Sequence, residues 1–465
     1  MTDASSTIGA LREAGYRTRS VKEELRSNLM AALAGRKALF EGIVGYEQTV
    51  LPQIENAILS GQDIIFLGER GQAKTRIARS LISLLDPLVP AIAGCEINDD
   101  PFAPICAACR YRVANDGDEV ELVWLRPDQR YSEKLATPDI SIADLVGEVD
   151  PIKVAEGRYL SDELTIHYGL LPRTHRGIFA LNELPDLAER VQVGLLNVME
   201  ERDVQIRGYK IRLPLDLFVV ASANPEDYTN RGRIITPLKD RFGSQVRTHY
   251  PKDIPTELGI MEQERAAFTD EGISTVVPGY MKEILVELSQ LARKSPEISQ
   301  RSGVSVRVTI ANYENLTSNA LKRALRNGET VVVPRISDLP AVVSSTAGKI
   351  ELESVGELSE ERVIDRLVQR AVLNVFNRTF ALVEFDALLA AFARGATMHV
   401  SPNMSSQEYV KQALQIPGMK GAVGKLGATG NPAAIAAAVE FVLEGLHLNR
   451  KLNKERGETR STFRG

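Results

Sequence analysis

The segment DIIFLGERGQAKTRIARSLISLL, residues 63–85, restricts the possible folds of this chain more than any other. It begins with a short apolar stretch that is typical of a buried strand, passes through a glycine-containing turn and continues as an amphipathic helix. Backbone amides in such a turn lie at the N-terminus of the following helix, where phosphate groups bind readily. The segment therefore predicts a strand–turn–helix unit of an α/β sheet with a phosphate site at its turn.

The turn itself, GERGQAKT at residues 68–75, departs from the common phosphate-loop pattern at one position. The pattern is glycine, four residues, then Gly-Lys-Ser/Thr, and Ala73 stands where the second glycine is expected. We expect the alanine to tighten the turn only slightly, provided that its φ is negative. Lys74 would then reach the β- and γ-phosphate oxygens, and Thr75 would bind magnesium. The alternative is an ordinary strand–turn–helix corner. The predicted phosphate-loop residues are Gly68, Glu69, Arg70, Gly71, Gln72, Ala73, Lys74, Thr75 and Arg76.

A second apolar strand, GIFALNE at residues 177–183, ends in two polar side chains. In most nucleotide motors such a strand ends in Asp-Glu, and the aspartate helps to hold magnesium. Here Asn182 offers only a carbonyl oxygen to a magnesium-bound water, so we expect weaker magnesium binding. Glu183 stands where a glutamate orients or deprotonates the attacking water. The alternative is a buried strand that simply ends in a polar loop.

A third apolar strand, LFVVASAN at residues 217–224, places Asn224 at its tip. We expect this amide to reach the γ-phosphate or the attacking water, although an asparagine before a proline is also common in plain turns. Buried strands that alternate with helices indicate a parallel sheet covered on both faces. Between the second and third strands, the segment DVQIRGYKIRLP predicts a hairpin around Gly208.

The fold class predicted from these patterns is α/β, with a nucleotide-binding core followed by helices. The predicted organisation is an N-terminal helical segment (1–40), the α/β core (41–255) with a cysteine-containing insertion (about 94–112) and a hairpin (about 203–214), a helical lid (256–325), a C-terminal helical region (326–447) and a disordered tail (448–465).

Taken in order, these segments resemble the AAA+ ATPases, and within them the magnesium chelatase I-subunit and MoxR-like group, over roughly residues 40–320. The stretch GLLPRTHRGIFALNEL is similar to the group's block around its second strand. The stretch VMEERDVQIRGYKIRLPLDLFVVASANPED is similar to its helix, hairpin and third strand. The resemblance implies an AAA+ P-loop core with a parallel sheet and a helical lid, which binds ATP with Mg²⁺ and hydrolyses it.

Three further segments acquire roles from this resemblance. GIVGYEQTV is similar to a segment that packs near adenine, which implies that Ile43 and Val44 contact the base. TPLKDRFG resembles a segment whose arginine acts on the neighbouring subunit's nucleotide, so Arg241 becomes an arginine finger. GVSVRVTI resembles the sensor-2 segment, so Arg307 becomes a lid arginine at the γ-phosphate. An arginine finger that acts on the neighbouring subunit implies a ring of subunits, and the resemblance implies a homo-hexamer. The alternative for Arg241 and for Arg307 is an ordinary surface or salt-bridged arginine.

The resemblance also implies a partner protein. Motors of this group usually act on a separate protein with a von Willebrand A-type domain, and this chain has no convincing D-x-S-x-S motif of its own. We expect remodelling of such a partner or assistance to metal or cofactor insertion; the departures at Ala73 and Asn182 argue against magnesium insertion into a porphyrin. A sigma-54-type transcription activator is an alternative, but the sequence lacks a GAFTGA-like loop. A nucleotide-binding scaffold with little turnover is a second alternative, for which Asn182 is the argument.

Cys95 precedes a C-x-x-C pair, Cys106 and Cys109, in the segment AGCEINDDPFAPICAACR. Thiolates at this spacing suit tetrahedral Zn²⁺, which would need a fourth ligand. The candidates for that fourth ligand are His167, His175, Asp99 and Asp100. A redox-sensitive thiol switch and three unligated thiols are the alternatives.

Composition limits the remaining functions. A net charge of −5 and a pI near 5.8 give no general attraction to nucleic acid or anionic membranes, so neither is expected as a partner. No run approaches the ~18 apolar residues of a membrane span, and the N-terminus has no apolar signal-peptide core. Three cysteines make no even disulfide framework. These features predict a cytoplasmic protein.

Overall fold

The structure is a computed structural model of the 465-residue chain. It describes residues 6–37, 39–150, 152, 155, 165–200, 203–205, 212–224, 232–268, 271–300, 302–353, 359–457 and 460–465. The chain forms two compact units, Met1–His249 and Tyr250–Gly465. None of the described helices is both long and apolar enough to cross a membrane.

The first unit contains a five-stranded parallel sheet of order β11-β1-β10-β7-β4. The described strands of this unit are β1 (Ile64–Leu67), β2 (Val89–Ile92), β3 (Leu122–Leu125), β4 (Tyr131–Leu135), β5 (Gly147–Val149), β6 (Ile166–Tyr168), β7 (Gly177–Asn182), β8 (Asp203–Gln205), β9 (Arg212–Pro214), β10 (Leu217–Ala223) and β11 (Ser244–Arg247). Its described α-helices are α1 (Ile8–Glu13), α2 (Val21–Ala34), α3 (Leu51–Leu59), α4 (Lys74–Ser80), α5 (Ala107–Asp116), α6 (Ile142–Val146), α7 (Leu170–Arg173), α8 (Glu189–Glu200) and α9 (Thr236–Arg241).

Alternate residues of the central strands enter two separate hydrophobic clusters. Ile64 and Phe66 of β1 belong to the cluster that includes apolar residues of α2, α3 and α4. Ile65 and Leu67 belong to the other cluster, together with β7 and α8 residues. Because successive side chains of a strand point to opposite faces, the sheet is buried on both sides. The predicted α/β class with a parallel sheet is confirmed.

The register of the sheet places the carboxyl ends of its strands at one edge. Leu67 at the end of β1 pairs with Ala223 at the end of β10, and Leu135 at the end of β4 pairs with Asn182 at the end of β7. The residues that follow these strands therefore lie near one another. This is the edge at which open α/β sheets bind ligands.

Three smaller strand pairs accompany the central sheet among the described residues, one of them β5 with β6. The antiparallel pair of β2 and β3 flanks the cysteine-containing insertion, within which α5 forms. The antiparallel pair of β8 and β9, with Asp203 opposite Pro214, forms the stem of the hairpin predicted for residues 203–214. Gly208 lies outside the described residues.

The second unit is mainly helical and has one large hydrophobic cluster that extends from Met261 to Phe463. Its described α-helices are α10 (Ile254–Glu264), α11 (Gly279–Lys294), α12 (Val306–Arg326), α13 (Val342–Thr346), α14 (Glu360–Thr379), α15 (Asp386–Ala393), α16 (Ser406–Ala413), α17 (Met419–Lys425) and α18 (Pro432–Leu448). Its described strands are β12 (Ser274–Thr275), β13 (Val331–Val332), β14 (Met398–Val400), β15 (Asn453–Arg456) and β16 (Ser461–Arg464). The predicted boundary at residue 325 falls inside this unit, at the end of α12.

The prediction of a disordered tail at residues 448–465 is wrong for the residues that the structure describes. β15 and β16 form an antiparallel pair, and β16 also pairs with β14. The tail is polar in composition, but it buries Phe463, which is 2% exposed, in the cluster of the second unit. One large aromatic side chain and two ladders of backbone hydrogen bonds are enough to order a segment that composition alone marks as soluble coil.

Candidate nucleotide-binding site

The turn between β1 and α4 has the strand–turn–helix geometry that the sequence predicted, but Ala73 does not have the expected conformation. Its φ of +57° and ψ of +14° lie in the left-handed region, so the condition of a negative φ is not met. A residue with a Cβ pays about 1–2 kcal/mol in this region relative to the right-handed one. The turn therefore keeps the backbone shape that a glycine would adopt freely, and Ala73 holds it under strain.

Lys74, the first residue of α4, is folded back onto the turn. Its ammonium group donates hydrogen bonds to the carbonyl oxygens of Gly68 and of Glu69, the latter at 2.9 Å. The side chain is 7% exposed. A buried ammonium held by backbone carbonyls can exchange these partners for phosphate oxygens without a new desolvation cost. This arrangement suits the phosphate-binding role predicted for Lys74.

Gly68 occupies a position without room for a side chain. A Cβ there would overlap the side chains of Gln72 and Thr248, which are joined by a hydrogen bond of 2.7 Å from the Thr248 hydroxyl to the Gln72 amide oxygen. The close approach of these groups fixes the path of the turn from inside. Thr75 is half-buried in the first turn of α4, and Arg76 is exposed beside it.

Tyr46 connects the GIVGYEQTV segment to the turn, a contact that the sequence reasoning missed. Its hydroxyl lies 3.0 Å from the carbonyl oxygen of Gln72 and 2.7 Å from that of His249. Burial raises the pKa of Tyr46 to about 12, so the phenol keeps its proton for these acceptors. Of the two predicted adenine contacts, Ile43 is buried and Val44 is 38% exposed. The tyrosine within the motif GIVGYEQTV is the sequence feature from which this contact could have been predicted.

Asn182, at the end of β7, forms hydrogen bonds with the polar side chains of two neighbouring strands. Its amide nitrogen donates to the Glu133 carboxylate on the adjacent strand β4 at 2.8 Å, and its amide oxygen accepts from the Ser222 hydroxyl on β10 at 3.3 Å. Glu133 also accepts two hydrogen bonds from Arg79 of α4, at 2.7 and 3.0 Å. The Arg79 guanidinium lowers the pKa of the Glu133 carboxyl, so the group is ionised.

This arrangement accounts for an amide at position 182. A carboxylate cannot donate a hydrogen bond, so the nitrogen of Asn182 must face Glu133 and the oxygen must face Ser222. An aspartate in the same place would set two negative charges within hydrogen-bond distance. The negative charge that is missing from β7 is therefore present on β4, one side chain away. Sequence reasoning missed Glu133 because its contact with Asn182 depends on the strand order.

Glu183 and Asn224 lie at the same edge of the sheet. Glu183 adopts a left-handed conformation with a φ of 54°, and its backbone amide donates to the Ser222 hydroxyl at 3.2 Å. Strain of this kind in a non-glycine residue is common where a side chain is aimed for function. Asn224 is 1% exposed, and its amide oxygen accepts no hydrogen bond from any residue that the structure describes. A buried acceptor of this kind fits a water or phosphate-bound group in the site.

Arg241 and Arg307 are the two arginines that the sequence predicted for the site. Arg241, at the end of α9, pairs with Glu200 of α8 at 2.5 Å and retains 27% side-chain exposure. Arg307 belongs to the second unit and is exposed in the first turn of α12. The first unit thus brings together Lys74, Asn182 and the residues around them, whereas the roles of both arginines remain predictions.

The cysteines of the insertion meet in space. Cys95, Cys106 and Cys109 lie together with Asp99, and the potential ligand atoms of these four residues are all within 4.8 Å of one another. The other predicted fourth ligands have different partners. The His175 ring accepts from the backbone amide of Asp216 at 2.9 Å, and burial lowers its pKa to about 3. Asp100 faces Arg176 and Thr18, and His167 faces Arg173.

No protein-family model matches the chain. Among curated proteins, it is 29% identical over 244 residues to the magnesium-chelatase 38 kDa subunit of Cereibacter sphaeroides, covering 50% of this chain and 64% of that protein. It is 28% identical over 236 residues to the chloroplastic magnesium-chelatase subunit ChlI-2 of Arabidopsis thaliana, covering 49% and 52%. It is 26% identical over 338 residues to the chloroplastic magnesium-chelatase subunit ChlI of Oryza sativa subsp. indica, covering 68% and 77%. The chain thus spans less than two thirds of the first two relatives.

Among solved structures, the chain matches a complex of the magnesium chelatase subunits BchI and BchD, based on a cryo-EM reconstruction, with 19% identity and a TM-score of 0.37 over 70% of this chain and 98% of that chain. NtrX from Brucella abortus in complex with ATP has 17% identity and a TM-score of 0.40 over 86% of this chain and 72% of that chain.

Proposed function

We propose that this chain is an AAA+ ATPase of the magnesium chelatase I-subunit type, which binds ATP with Mg²⁺ and hydrolyses it to drive work on a partner protein. The observation that carries this proposal is the meeting of three elements at one sheet edge. They are the strained turn with Lys74, the hydrogen-bonded Asn182–Glu133 pair, and the residues that follow β7 and β10, Glu183 and Asn224 with its buried acceptor.

Each residue has a distinct part in the proposed reaction. The amides of the turn and Lys74 hold the phosphates, and Lys74 exchanges its two carbonyl partners for phosphate oxygens. Thr75 and Asn182 would hold the Mg²⁺ ion. When bound, the ion neutralises charge on the phosphates. Glu183 positions the attacking water and accepts its proton, and Asn224 holds the same water through its amide oxygen.

Glu133 completes the metal-binding role of Asn182. Its carboxylate polarises the amide to which it is bonded at 2.8 Å, and it supplies the unit of negative charge that the end of β7 lacks. We infer that Asn182 and Glu133 together replace the single aspartate of related motors. The metal-binding part of the proposed site therefore carries its negative charge on the adjacent strand β4.

The finger role of Arg241 requires a neighbouring subunit. Its guanidinium is partly exposed, and its in-chain partner, Glu200, has a side chain that is 53% exposed. Such a pair is weakly stabilised and can be exchanged for a phosphate group across an interface. We propose that copies of the chain form a ring, a hexamer by family likeness, in which Arg241 reaches the adjacent nucleotide and Arg307 acts at the γ-phosphate. A von Willebrand A-type protein is the proposed partner, and the cytoplasm is the proposed location.

Steady-state ATP hydrolysis tests the proposal. The wild-type chain should release phosphate in a Mg²⁺-dependent reaction, and Glu183→Gln should slow it by at least ~100-fold, because the positioned base is lost. Glu189→Gln, which alters an exposed glutamate on α8, is the matched control and should hydrolyse ATP at the wild-type rate. A wild-type rate equal to that of Glu183→Gln at saturating Mg²⁺ would mean that the site binds nucleotide without turnover.

A further inference from the structure

The insertion between β2 and β3 contains a group of metal-binding side chains outside the nucleotide site. Cys95 follows β2, Cys106 caps the N-terminus of α5, and Cys109 lies in the first turn of that helix. Asp99 lies between them in sequence and is 0% exposed. The potential ligand atoms of all four residues lie within 4.8 Å of one another.

We propose that Cys95, Asp99, Cys106 and Cys109 form a closed, structural Zn²⁺ site. Zinc prefers four ligands in a tetrahedron, and structural sites use thiolates at C-x-x-C spacing with every position filled by the protein. The observed set has three sulfurs and one carboxylate oxygen, with the C-x-x-C pair at the start of a helix. This combination matches zinc better than calcium or magnesium, which take oxygen ligands.

The spacing of the ligand atoms is compatible with a zinc tetrahedron. A Zn–S bond of about 2.3 Å corresponds to sulfur–sulfur separations of about 3.8 Å in a regular tetrahedron. The upper limit of 4.8 Å in the structure therefore requires side-chain shifts of no more than about 1 Å, which rotations about χ1 supply.

Backbone amides already point at the prospective ligand atoms. The amides of Ile97 and Asp99 each donate to the Cys95 sulfur at 3.4 Å, and the amide of Cys109 donates to the Cys106 sulfur at 3.3 Å. Such bonds stabilise thiolates, as does the N-terminus of a ten-residue helix. The Asp99 carboxylate is oriented in the same way by the amides of Ile105 and Cys106, both at 3.0 Å.

Cationic side chains brace the same loop. Three thiolates, one carboxylate and Zn²⁺ sum to a charge of about −2, which favours nearby cations. Arg112 donates to the carbonyl oxygen of Ala93 at 2.6 Å, and Arg110 donates to that of Ile105 at 2.7 Å. Each acceptor lies within two residues of a proposed ligand. These arginines therefore hold both ends of the loop and offset its charge.

The site would join the end of β2 to the start of α5. Such a cross-link stabilises a loop that otherwise depends on a small patch of core, because metal binding contributes directly to folding free energy. The loop in turn contacts the segment before β7: Asn98 donates to the carbonyl oxygen of Arg173 at 3.1 Å, and Asp100 lies 3.4 Å from Arg176. The role we infer for the metal is structural support of the first unit.

Metal analysis of the full chain purified without chelators tests this site. We expect about one zinc per chain, displaced by a thiol-specific mercurial in step with the blocking of the three thiols. Cobalt-substituted protein should show the strong visible absorption of tetrahedral cobalt–thiolate coordination. Asp99→Asn should change that spectrum and weaken zinc binding by at least ~10-fold. Glu96→Gln, which alters an exposed carboxylate of the same loop, is the matched control and should leave both unchanged.

The mercurial titration uses the wild-type chain, so it remains decisive if the substituted chains fail to fold. Wild-type protein that contains no zinc, takes up no cobalt and has three free thiols or a disulfide would overturn the proposal. Zinc binding that Asp99→Asn leaves unaltered in affinity and cobalt spectrum would overturn the four-ligand set.

Discussion

The contact between Asn182 and Glu133 gives the most specific prediction of this structure. Replacing the amide with a carboxylate, Asn182→Asp, restores the residue that related motors carry, yet we expect it to destabilise the chain in the absence of Mg²⁺. The substitution removes a hydrogen bond to a charged group, worth about 1.5–3 kcal/mol. It also places a second negative charge beside Glu133, to which the amide nitrogen is now bonded at 2.8 Å.

The size of the effect can be bounded. Two unit charges about 4 Å apart repel by about 4 kcal/mol at an effective dielectric constant of 20, and the Arg79 ion pair and solvent reduce this by about half. The new carboxyl can also escape by taking up a proton, which costs about 4 kcal/mol at pH 7 for a group of pKa near 3.9. We therefore expect a loss of about 2–4 kcal/mol in the free energy of unfolding.

A double-mutant cycle with Glu133→Gln measures this coupling by thermal or denaturant unfolding without Mg²⁺. Adding Glu133→Gln to Asn182→Asp should recover at least about 2 kcal/mol, because one carboxylate remains and the glutamine amide can donate to it. Repulsion raises the pKa of the carboxyl pair above its unfolded value. The penalty should therefore be full at pH 7 and vanish as pH falls towards ~4.

Magnesium should turn the disadvantage of Asn182→Asp relative to the wild type into an advantage. A cation between two carboxylates is strongly held, so Asn182→Asp should require less Mg²⁺ for nucleotide binding than the wild type, and Glu133→Gln should require more. Free energies that add within about 0.5 kcal/mol in the cycle would refute the reasoning, since they would mean that the two side chains do not interact.

Two further predictions concern single residues. Ala73→Gly should raise the free energy of unfolding by about 0.5–1 kcal/mol, because the strain that glycine relieves at φ +57° exceeds the entropic cost of introducing it. Ala31→Gly, at an exposed position in α2, is the control and should lower the free energy of unfolding by about 1 kcal/mol in the same thermal unfolding assay. Burial lowers the pKa of His175 to about 3, below its unfolded value, so the stability that its neutral ring contributes is present above pH ~6.5 and is lost as pH falls towards 3. Between pH 6.5 and 5 the free energy of unfolding should fall by about 2 kcal/mol for this reason. His175→Gln should remove this pH dependence of the free energy of unfolding over that interval.

The sequence predicted those features of the site that depend on local spacing. Lys74 follows a strand and a turn of fixed length, and Asn182 ends an apolar run, so strand alternation was enough to bring them to one edge of a parallel sheet. Glu133 could not be found in this way, because its contact with Asn182, 49 residues away, arises from the pairing of β4 with β7. The same limit applies to Asp99, which becomes distinguishable from Asp100 only when the loop closes on the cysteines.

Two predictions were wrong: the negative φ of Ala73 and the disorder of the described residues in the tail at residues 448–465. Backbone conformation accounts for the first, and sparse packing accounts for the second. Nothing in the letters GERGQAKT reveals that Ala73 has a positive φ, since alanine usually avoids that region. The tail strands escaped prediction because only a few buried side chains, among them Leu452 and Phe463, hold this polar segment to the core. Composition averages over such isolated contacts.

The central claim is that the chain hydrolyses ATP at a site completed by a neighbouring copy, and mixing two inactive variants tests it most directly. Glu183→Gln lacks the water-positioning group and Arg241→Ala lacks the proposed finger, so each alone should lose at least ~100-fold in rate. In an equimolar mixed ring, about one quarter of the interfaces pair an intact Glu183 with an intact Arg241. The account predicts that mixing restores Mg²⁺-dependent hydrolysis to that order, while Arg233→Ala, an exposed control, stays active alone. Mixtures as inactive as their components, under conditions in which the subunits exchange, would contradict it.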